Sequence, residues 1–438
     1  METSVVENKP KLKRTLGLAE TTLMGVGVML GAGIYALVGQ ASGLAGNAVW
    51  ASFMLASLVA GFTGLSYAEL SSFIPKAGGE YYYARRALGS LAAFLVTWSL
   101  TVGIAIVAST VALGFGGYLA GMTGSNLLWS ASLLIVTMAA LLIYGIQQSA
   151  WVAGFCTILE VIGLVVVVAV GAPHLGSVNY LEMSPDGFHG VASAAALIFF
   201  AYIGFEEIVQ LSEETRDATK SIPLAILLSI SVTTLIYVAV AACAVSVVDW
   251  EKLGASESPL ADVVAVALGR KAFFGLSVIA LFSTANTVLI LMMSAARLLY
   301  GMAEDGQLPK GLAAVHRTRK SPYIATLVVA AISILMIVAL REIAVVANLA
   351  NFTLLMAFVV INVAVIVLRF REPDTNRPFR VPGSIGKLPL IPCFGIVTSL
   401  FMVSFLGLVT TLTGIGVAAI GTVVYFFKLR QPQKEPRI

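Results

Sequence analysis

The sequence predicts an all-α integral membrane protein of about twelve transmembrane helices. Three observations predict it: overall apolarity, recurring apolar stretches of spanning length, and one-sided placement of positive charge. Of 438 residues, 58% are hydrophobic and only 11% charged, and the mean hydropathy is +0.94. Such a chain has too little polar surface to cover a core in water, so lipid must be its main solvent. Stretches of about 20 apolar residues recur from end to end, and each is long enough to cross roughly 30 Å of hydrocarbon as an α-helix. The short alternating segments of a transmembrane β-barrel are absent.

Taken in order, the spans fall near 17–44, 47–73, 90–120, 127–146, 151–171, 191–211, 223–247, 272–302, 323–341, 344–368, 389–407 and 410–428. With the N-terminus inside, all of the 27 Lys and Arg except Lys252, Arg270, Lys271 and Arg341 fall on cytoplasmic segments or span ends. Lysine and arginine favour cytoplasmic loops, so both termini are expected in the cytoplasm. The main clusters are Lys11, Lys13 and Arg14; Arg85 and Arg86; Arg317, Arg319 and Lys320; and Arg369 through Arg380. Residues 1–16 are polar and basic without a short apolar core or cleavage site, and read as a cytoplasmic tail rather than a signal peptide. Residues 429–438 form a second tail, and the short loops fit a bacterial or archaeal plasma membrane. No gap between spans holds a soluble domain; the largest lies around 249–271.

Several function classes drop out. Cys156, Cys243 and Cys393 stand singly in apolar segments, and His174, His189 and His316 fall in loops, so no metal set is formed. No HExxH, GxSxG or Walker sequence suggests an enzyme or an ATP-driven pump. Membrane topology already accounts for the basic residues, which leaves no sign of nucleic-acid binding. The expected partners are the bilayer and a small molecule, with no cofactor.

The first and sixth spans share a glycine-containing interruption, Gly31-Ala32-Gly33-Ile34 in one and Ala201-Tyr202-Ile203-Gly204 in the other. They lie five spans apart. Interrupted helices at matching places in two five-span units, the second inverted because five is odd, point to an inverted-repeat transporter. The units are 17–171 and 191–368, and 389–428 supplies two further helices. Most glycines of such a chain serve helix packing instead, Gly61, Gly64, Gly114, Gly116 and Gly117 among them.

An unwound helix in hydrocarbon exposes backbone groups that each cost several kcal/mol unpaired, so a break persists only where something polar fills it. The half-helix after the first break presents the amides of Ala32, Gly33 and Ile34 at its positive dipole end, which suits a carboxylate. Free carbonyls at Phe199, Phe200 and Ile203 suit an ammonium. One small zwitterion, an amino acid, satisfies both. Phe200 and Tyr202 are large enough to cover it, Phe200 being the expected gate, although an aromatic in a span also serves plain packing.

Glu160 lies about 14 Å along span five among apolar and small neighbours, a costly position and a functional one by default. Ser283, Asn286 and Thr287 follow i, i+3, i+4 spacing on one face of span eight, and the carbonyls of Gly27 and Leu30 complete a candidate small-cation cage. Burial would let Glu160 bind and release a proton, whereas a bound Na⁺ would keep it ionised. The alternative is a carboxyl hydrogen-bonded to a neighbouring helix. Glu69 and Arg297 are expected as structural or inner-gate partners near the cytoplasmic ends, and Glu213, Glu214, Arg216, Asp217 and Lys220 as a solvated loop.

From about Leu16 to Phe427 the chain resembles the amino acid-polyamine-organocation superfamily, particularly its bacterial and archaeal amino acid permeases and its cationic amino acid transporter branch. The resemblance rests on GVGVMLGAGIYALVG in span one, YAELSSFIPKAGGEYYYARRALG after span two and FFAYIGFEEIVQLSEETRDATKSIP around span six. SAARLLYGMAEDGQLP at the end of span eight and REPDTNRPFRVP before span eleven extend it. It implies the LeuT-type fold of ten core helices plus two, a central site between spans one, three, six and eight, and alternating access. It also implies Ala32, Gly33 and Ile34 for the substrate carboxylate, Phe200, Ala201 and Ile203 for its amine, and Phe200 as gate. Proton-coupled relatives carry a lysine where this chain has Glu160, next to a sodium position of other members, and here the sequence departs from the pattern. In acid-responsive exchangers a glutamate at the position of Glu206 takes part in proton sensing. The leading expectation is proton-coupled amino acid uptake. Sodium coupling, exchange of cationic amino acids or polyamines, and a receptor without flux remain alternatives.

Overall fold

The computed structural model describes residues 16–76, 79–144, 150–213, 215–304, 306–316 and 321–429. Of the expected tails 1–16 and 429–438 only residues 16 and 429 are described, and the basic cluster at Arg317, Arg319 and Lys320, with Glu214, lies outside the described residues.

Helices follow the expected spans closely. The first span is divided into α1 (Leu18–Leu30) and α2 (Ala32–Ala45), and the second is α3 (Val49–Phe73). A short helix, α4 (Gly79–Leu88), precedes α5 (Ser90–Thr123), α6 (Leu127–Tyr144) and α7 (Ala150–Gly171). The sixth span starts as α8 (Gly187–Ile198), and α9 (Ala218–Val247) follows it. The gap expected around 249–271 folds as two short helices, α10 (Trp250–Ala255) and α11 (Pro259–Leu268), packed on α2. Beyond it run α12 (Arg270–Glu304), α13 (Tyr323–Leu340), α14 (Ile343–Arg371), α15 (Leu390–Ser404) and α16 (Leu408–Leu429). Ten described helical stretches are long and apolar enough to cross a membrane, by length and composition. The two shortfalls against twelve are the first span, whose 13-residue α1 stands apart while its other half α2 runs on with α3 as one stretch, Gly33–Phe73, and the 15-residue α15.

The centre is α5, which packs against α2, α4, α6, α12, α13, α14 and α16. Its small residues allow that enclosure: the missing side chain of Gly103 makes room for Thr353, and that of Gly114 for Ala36. Its hydroxyls do not compete with the bundle, because Thr97, Thr101 and Ser109 each donate to the carbonyl four residues back. Leu133 of α6, Leu335 of α13, Val397 of α15 and Phe427 of α16 are exposed, the apolar surface that lipid covers.

One end of the bundle gathers the exposed Arg85, Arg86, Arg371 and Arg380, and is the basic face. Beneath it Glu69 on α3 corrects an expectation. It pairs not with Arg297, which is exposed, but with Arg369 on α14, whose Nε and Nη2 donate to its two carboxylate oxygens at 2.9 and 2.5 Å. Arg377 Nε lies 3.3 Å from the same carboxylate, and the amide of Val381 donates to it at 2.8 Å. Arg369 also donates to Ser384, so part of the expected basic cluster is spent inside, and the loop after α14 folds over a buried ion pair. That loop carries a two-stranded antiparallel hairpin, β1 (Ser384–Ile385) with β2 (Leu388–Pro389).

Candidate functional site

The two expected interruptions are both present, and they touch. After Leu30 the backbone leaves helical geometry at Gly31 (φ −48°, ψ −155°), and α2 begins at Ala32. The first amides of a helix have no carbonyl one turn back, so those of Ala32, Gly33 and Ile34 lack partners within α2. In the sixth span α8 stops at Ile198, a 3-10 turn covers Phe199–Tyr202, and Ile203 is extended. Gly204 follows at φ +122°, in the region that favours glycine. The Glu206 carboxylate accepts the Gly204 amide at 2.9 Å, and a second 3-10 stretch, Glu206–Glu213, carries the chain onward.

Glycine is what allows the two breaks to approach. A Cβ on Gly33 would stand 2.7 Å from Ala201 Cα, and one on Gly204 would stand 2.6 Å from a methyl of Val28. Each break therefore packs through its glycine into the other. Tyr237 of α9 joins them: its buried hydroxyl lies within hydrogen-bonding reach of the carbonyls of Met29 and Ala201, the latter at 2.9 Å. Asn351 of α14 donates from Nδ2 to the carbonyls of Ala196 and Leu197 at 2.7 and 3.0 Å, which serves backbone groups at the end of α8. Tyr202 donates to the carbonyl of Phe53.

Of the carbonyls expected to receive an ammonium, that of Phe200 accepts the amide of Ile203 at 3.3 Å and that of Ala201 faces Tyr237. Phe199, Phe200 and Ile203 are all buried, and the ring of Phe199 meets Phe358 of α14 edge-on at 6.1 Å.

Glu160 is buried on α7, and Ser283 of α12 donates to its Oε1 at 2.8 Å. Its Oε2 is buried without a hydrogen-bond partner among the described residues. The hydroxyl of Thr287 stands 2.7 Å from where a Cβ on Gly31 would be, and the methyl and hydroxyl of Thr157 stand 2.9 and 3.1 Å from where one on Gly27 would be. Among the described residues Asn286 has a buried, unpartnered Oδ1. Behind Glu160 runs a tyrosine chain, in which Tyr118 donates to the carbonyl of Tyr35 at 3.0 Å and Tyr35 to the carbonyl of Glu160 at 2.8 Å. An oxygen set with one unpartnered carboxylate atom fits either a proton or a small hard cation.

Sequence reasoning passed over Tyr237, Tyr35 and Asn351. The available signal was a polar tip in the middle of an apolar span, where the tip must find a partner inside the protein.

The sequence matches the amino acid permease family over residues 16–428. The chain belongs to the amino acid permease family. This permease is 34% identical to the branched-chain amino acid permease BcaP of Bacillus subtilis, over 98% of this chain and 96% of that protein. It is 32% identical to the methylthioribose transporter of the same bacterium, over 98% and 97%. It is 29% identical to the human cationic amino acid transporter 4, over 89% of this chain and 64% of the human protein. The permease is thus a multi-pass membrane protein of a transporter family, and not an enzyme.

Proposed function

We propose that this permease is a secondary active transporter that carries a small amino acid by alternating access, with a proton bound at Glu160 as the coupling ion. The observation that carries the reading is the contact between the two interruptions, Gly33 against Ala201. There the amides of Ala32, Gly33 and Ile34 face a substrate carboxylate, and the carbonyls of Phe199, Phe200, Ala201 and Ile203 serve its ammonium. Phe200 is the gate. Gly204 lets the second break turn, and Tyr237 occupies an ammonium acceptor that the substrate takes over.

In this reading the fold is a LeuT-type inverted repeat of 17–171 and 191–368 with both termini in the cytoplasm, in the plasma membrane. The unpartnered Oε2 of Glu160 supports coupling. Its other oxygen is held by Ser283, and with Thr287, Asn286 and the carbonyls of Gly27 and Leu30 the same cage would serve Na⁺. Glu206, tied to the Gly204 amide, is the second titrating group.

The relatives' names supply the substrate panel: branched-chain and cationic amino acids, and methylthioribose, which lacks the carboxylate and ammonium that the breaks suit. The test is uptake of radiolabelled substrates into proteoliposomes under imposed pH or sodium gradients, for the native chain and Glu160→Gln. Accumulation lost in the variant with counterflow retained is the expected result. Accumulation driven only by sodium reassigns the ion, and counterflow without net uptake under any gradient makes the protein an exchanger. Unchanged accumulation in Glu160→Gln removes that residue from coupling.

A further inference from the structure

Tyr35 follows Ala32, Gly33 and Ile34 directly on α2, and its wholly buried phenol reaches away from that helix to another. The hydroxyl donates to the backbone carbonyl of Glu160 on α7 at 2.8 Å. Inside a helix that carbonyl already accepts the amide four residues on, so the phenol is a second donor to it. α7 is shaped for the contact: Gly163 lacks the side chain that would collide with the Tyr35 hydroxyl, and Ile279 and Leu276 of α12 bound the same space. One turn from Ile279, Ser283 donates to Glu160 Oε1. A single turn of α7 is gripped twice, by α12 through the carboxylate and by α2 through the backbone.

The arm is held at its base as well. Tyr118 of α5 meets the Tyr35 ring edge-on at 6.4 Å and donates to the Tyr35 carbonyl at 3.0 Å. α2 packs chiefly against α8 and α10, and α7 against α9 and α12, so Tyr35 joins helices whose main neighbours differ. The titratable groups that act on Glu160 from its neighbours are phenols, Tyr35 of α2 and Tyr237 of α9. Charges on the packed helices stand off: Lys220 of α9 and Arg270, Lys271 and Arg297 of α12 lie at least about 18 Å along their helices from Tyr237 and Ser283. Asp262 of α11 accepts the Ser256 hydroxyl, and Glu20 of α1 accepts the Gly17 amide. Cys243 of α9 lies against the carbonyl of Val168, and His174, beyond the end of α7, against that of Val170.

We propose that Tyr35 is a positioning residue whose phenol ties the half-helix that receives the substrate carboxylate to the helix that carries Glu160, so that occupation of each site is felt at the other. The inference rests on the transporter reading above and adds to it the connection between its two sites. A carboxylate drawn onto the amides of Ala32, Gly33 and Ile34 shifts α2, and Tyr35, next in the chain, passes the shift to the backbone of the residue whose Oε2 has no partner. A 2.8 Å bond weakens steeply as its partners part or turn, which makes it a sensitive link between the two helices. Coupling of this kind is reciprocal: a proton on Glu160 changes substrate affinity by the factor with which substrate changes proton affinity.

Thermal unfolding of the purified full-length protein, titrated with leucine and with arginine at about pH 5 and about pH 8, tests this. The ratio of the half-saturating concentrations at the two pH values measures the coupling. For an amino acid that the native chain binds, a ratio of at least about fivefold is expected, and Glu160→Gln is expected to remove most of it. Tyr35→Phe keeps the ring and loses the bond, and its ratio is expected to match that of Glu160→Gln within about twofold, with Tm still rising saturably at the lower pH. Gly163→Ala keeps the phenol but displaces it; the same result is expected, and it decides alone where Tyr35→Phe is not recovered folded. Tyr83→Phe removes the bond of another buried phenol, to the carbonyl of Ile74, and is expected to keep the native ratio, which separates coupling from lost stability. A native ratio in Tyr35→Phe overturns the proposal and leaves the transporter reading standing. No response to either amino acid, or a native ratio that is near one or unchanged in Glu160→Gln, fails the transporter reading's coupling site and overturns the proposal with it.

Discussion

Replacing Gly33 by alanine tests whether the contact between the two interrupted helices is the working centre of this permease. The added Cβ would stand 2.7 Å from Ala201 Cα and 2.9 Å from Ala201 Cβ, against the 3.4–4 Å of an ordinary contact. The nearest atom is backbone, not the end of a flexible side chain, so the two breaks must part by several tenths of an ångström. Overpacking of this kind costs about 1–3 kcal/mol, roughly a 5- to 150-fold change in the population of the closely packed arrangement. Counterflow of a labelled amino acid in proteoliposomes is expected to fall by a factor in that range. Gly61→Ala is the control, because nothing lies within 4 Å of a Cβ at Gly61, and alanine gains up to about 1 kcal/mol over glycine in a helix. Wild-type KM and rate in Gly33→Ala, or an equal loss in Gly61→Ala, would refute the reasoning.

Tyr237→Phe removes the hydroxyl between the carbonyls of Met29 and Ala201 and leaves buried acceptors unmet. A Tm lowered by the equivalent of about 1–3 kcal/mol is expected, with a changed KM in the flux assay. Glu69→Gln strands the buried Arg369 and is expected to destabilise by about 3–5 kcal/mol, read as loss of the monodisperse detergent peak; adding Arg369→Met should recover part of it. The half-exposed pair of Arg86 and Glu372 behaves oppositely, and Arg86→Ala should cost under about 1 kcal/mol. Hydrogen bonds from Arg86 hold the Glu372 carboxyl below its ordinary 4.5, so this small contribution is complete above pH 4.5 and fades as pH falls below it. Burial, with Glu207 nearby, pushes the Glu80 carboxyl up from 4.5 to about 8, against a bond from its own backbone. A raised carboxyl favours folding fully below pH 4.5 and loses that contribution as pH rises through 8, so Glu80→Gln should flatten the decline of Tm across that interval.

The spans were legible because the bilayer imposes one length and one polarity on every crossing segment. Boundaries held to within a few residues, from Val49–Phe73 against 47–73 to Ile343–Arg371 against 344–368. The two breaks were legible too, since Gly31, Gly33 and Gly204 leave a mark in sequence wherever the backbone turns or approaches closely. Pairings between distant spans were not. Glu69 sits 300 residues from Arg369, and Arg297 looked equally suitable until the ends of α3 and α14 were seen side by side. A charge announces the need for a partner but not which of several basic residues the fold will deliver.

Tyr237 belongs to the same class of hidden residue, and its place bears on how an empty central site survives in hydrocarbon. Breaking two helices at one depth leaves carbonyls that lipid cannot satisfy. The phenol of Tyr237 lies against one carbonyl from each break, and the amide of Asn351 serves two more at the end of α8, so the interruption is tolerable before any substrate arrives. In the proposed reading, a substrate ammonium seeking the Ala201 carbonyl would compete with that hydroxyl. On that reading, the difference between the two bonds, not the whole strength of either, would set affinity at that end. A carrier that must release its substrate on every cycle is served by such an exchange, because the site closes back on itself as the ligand leaves.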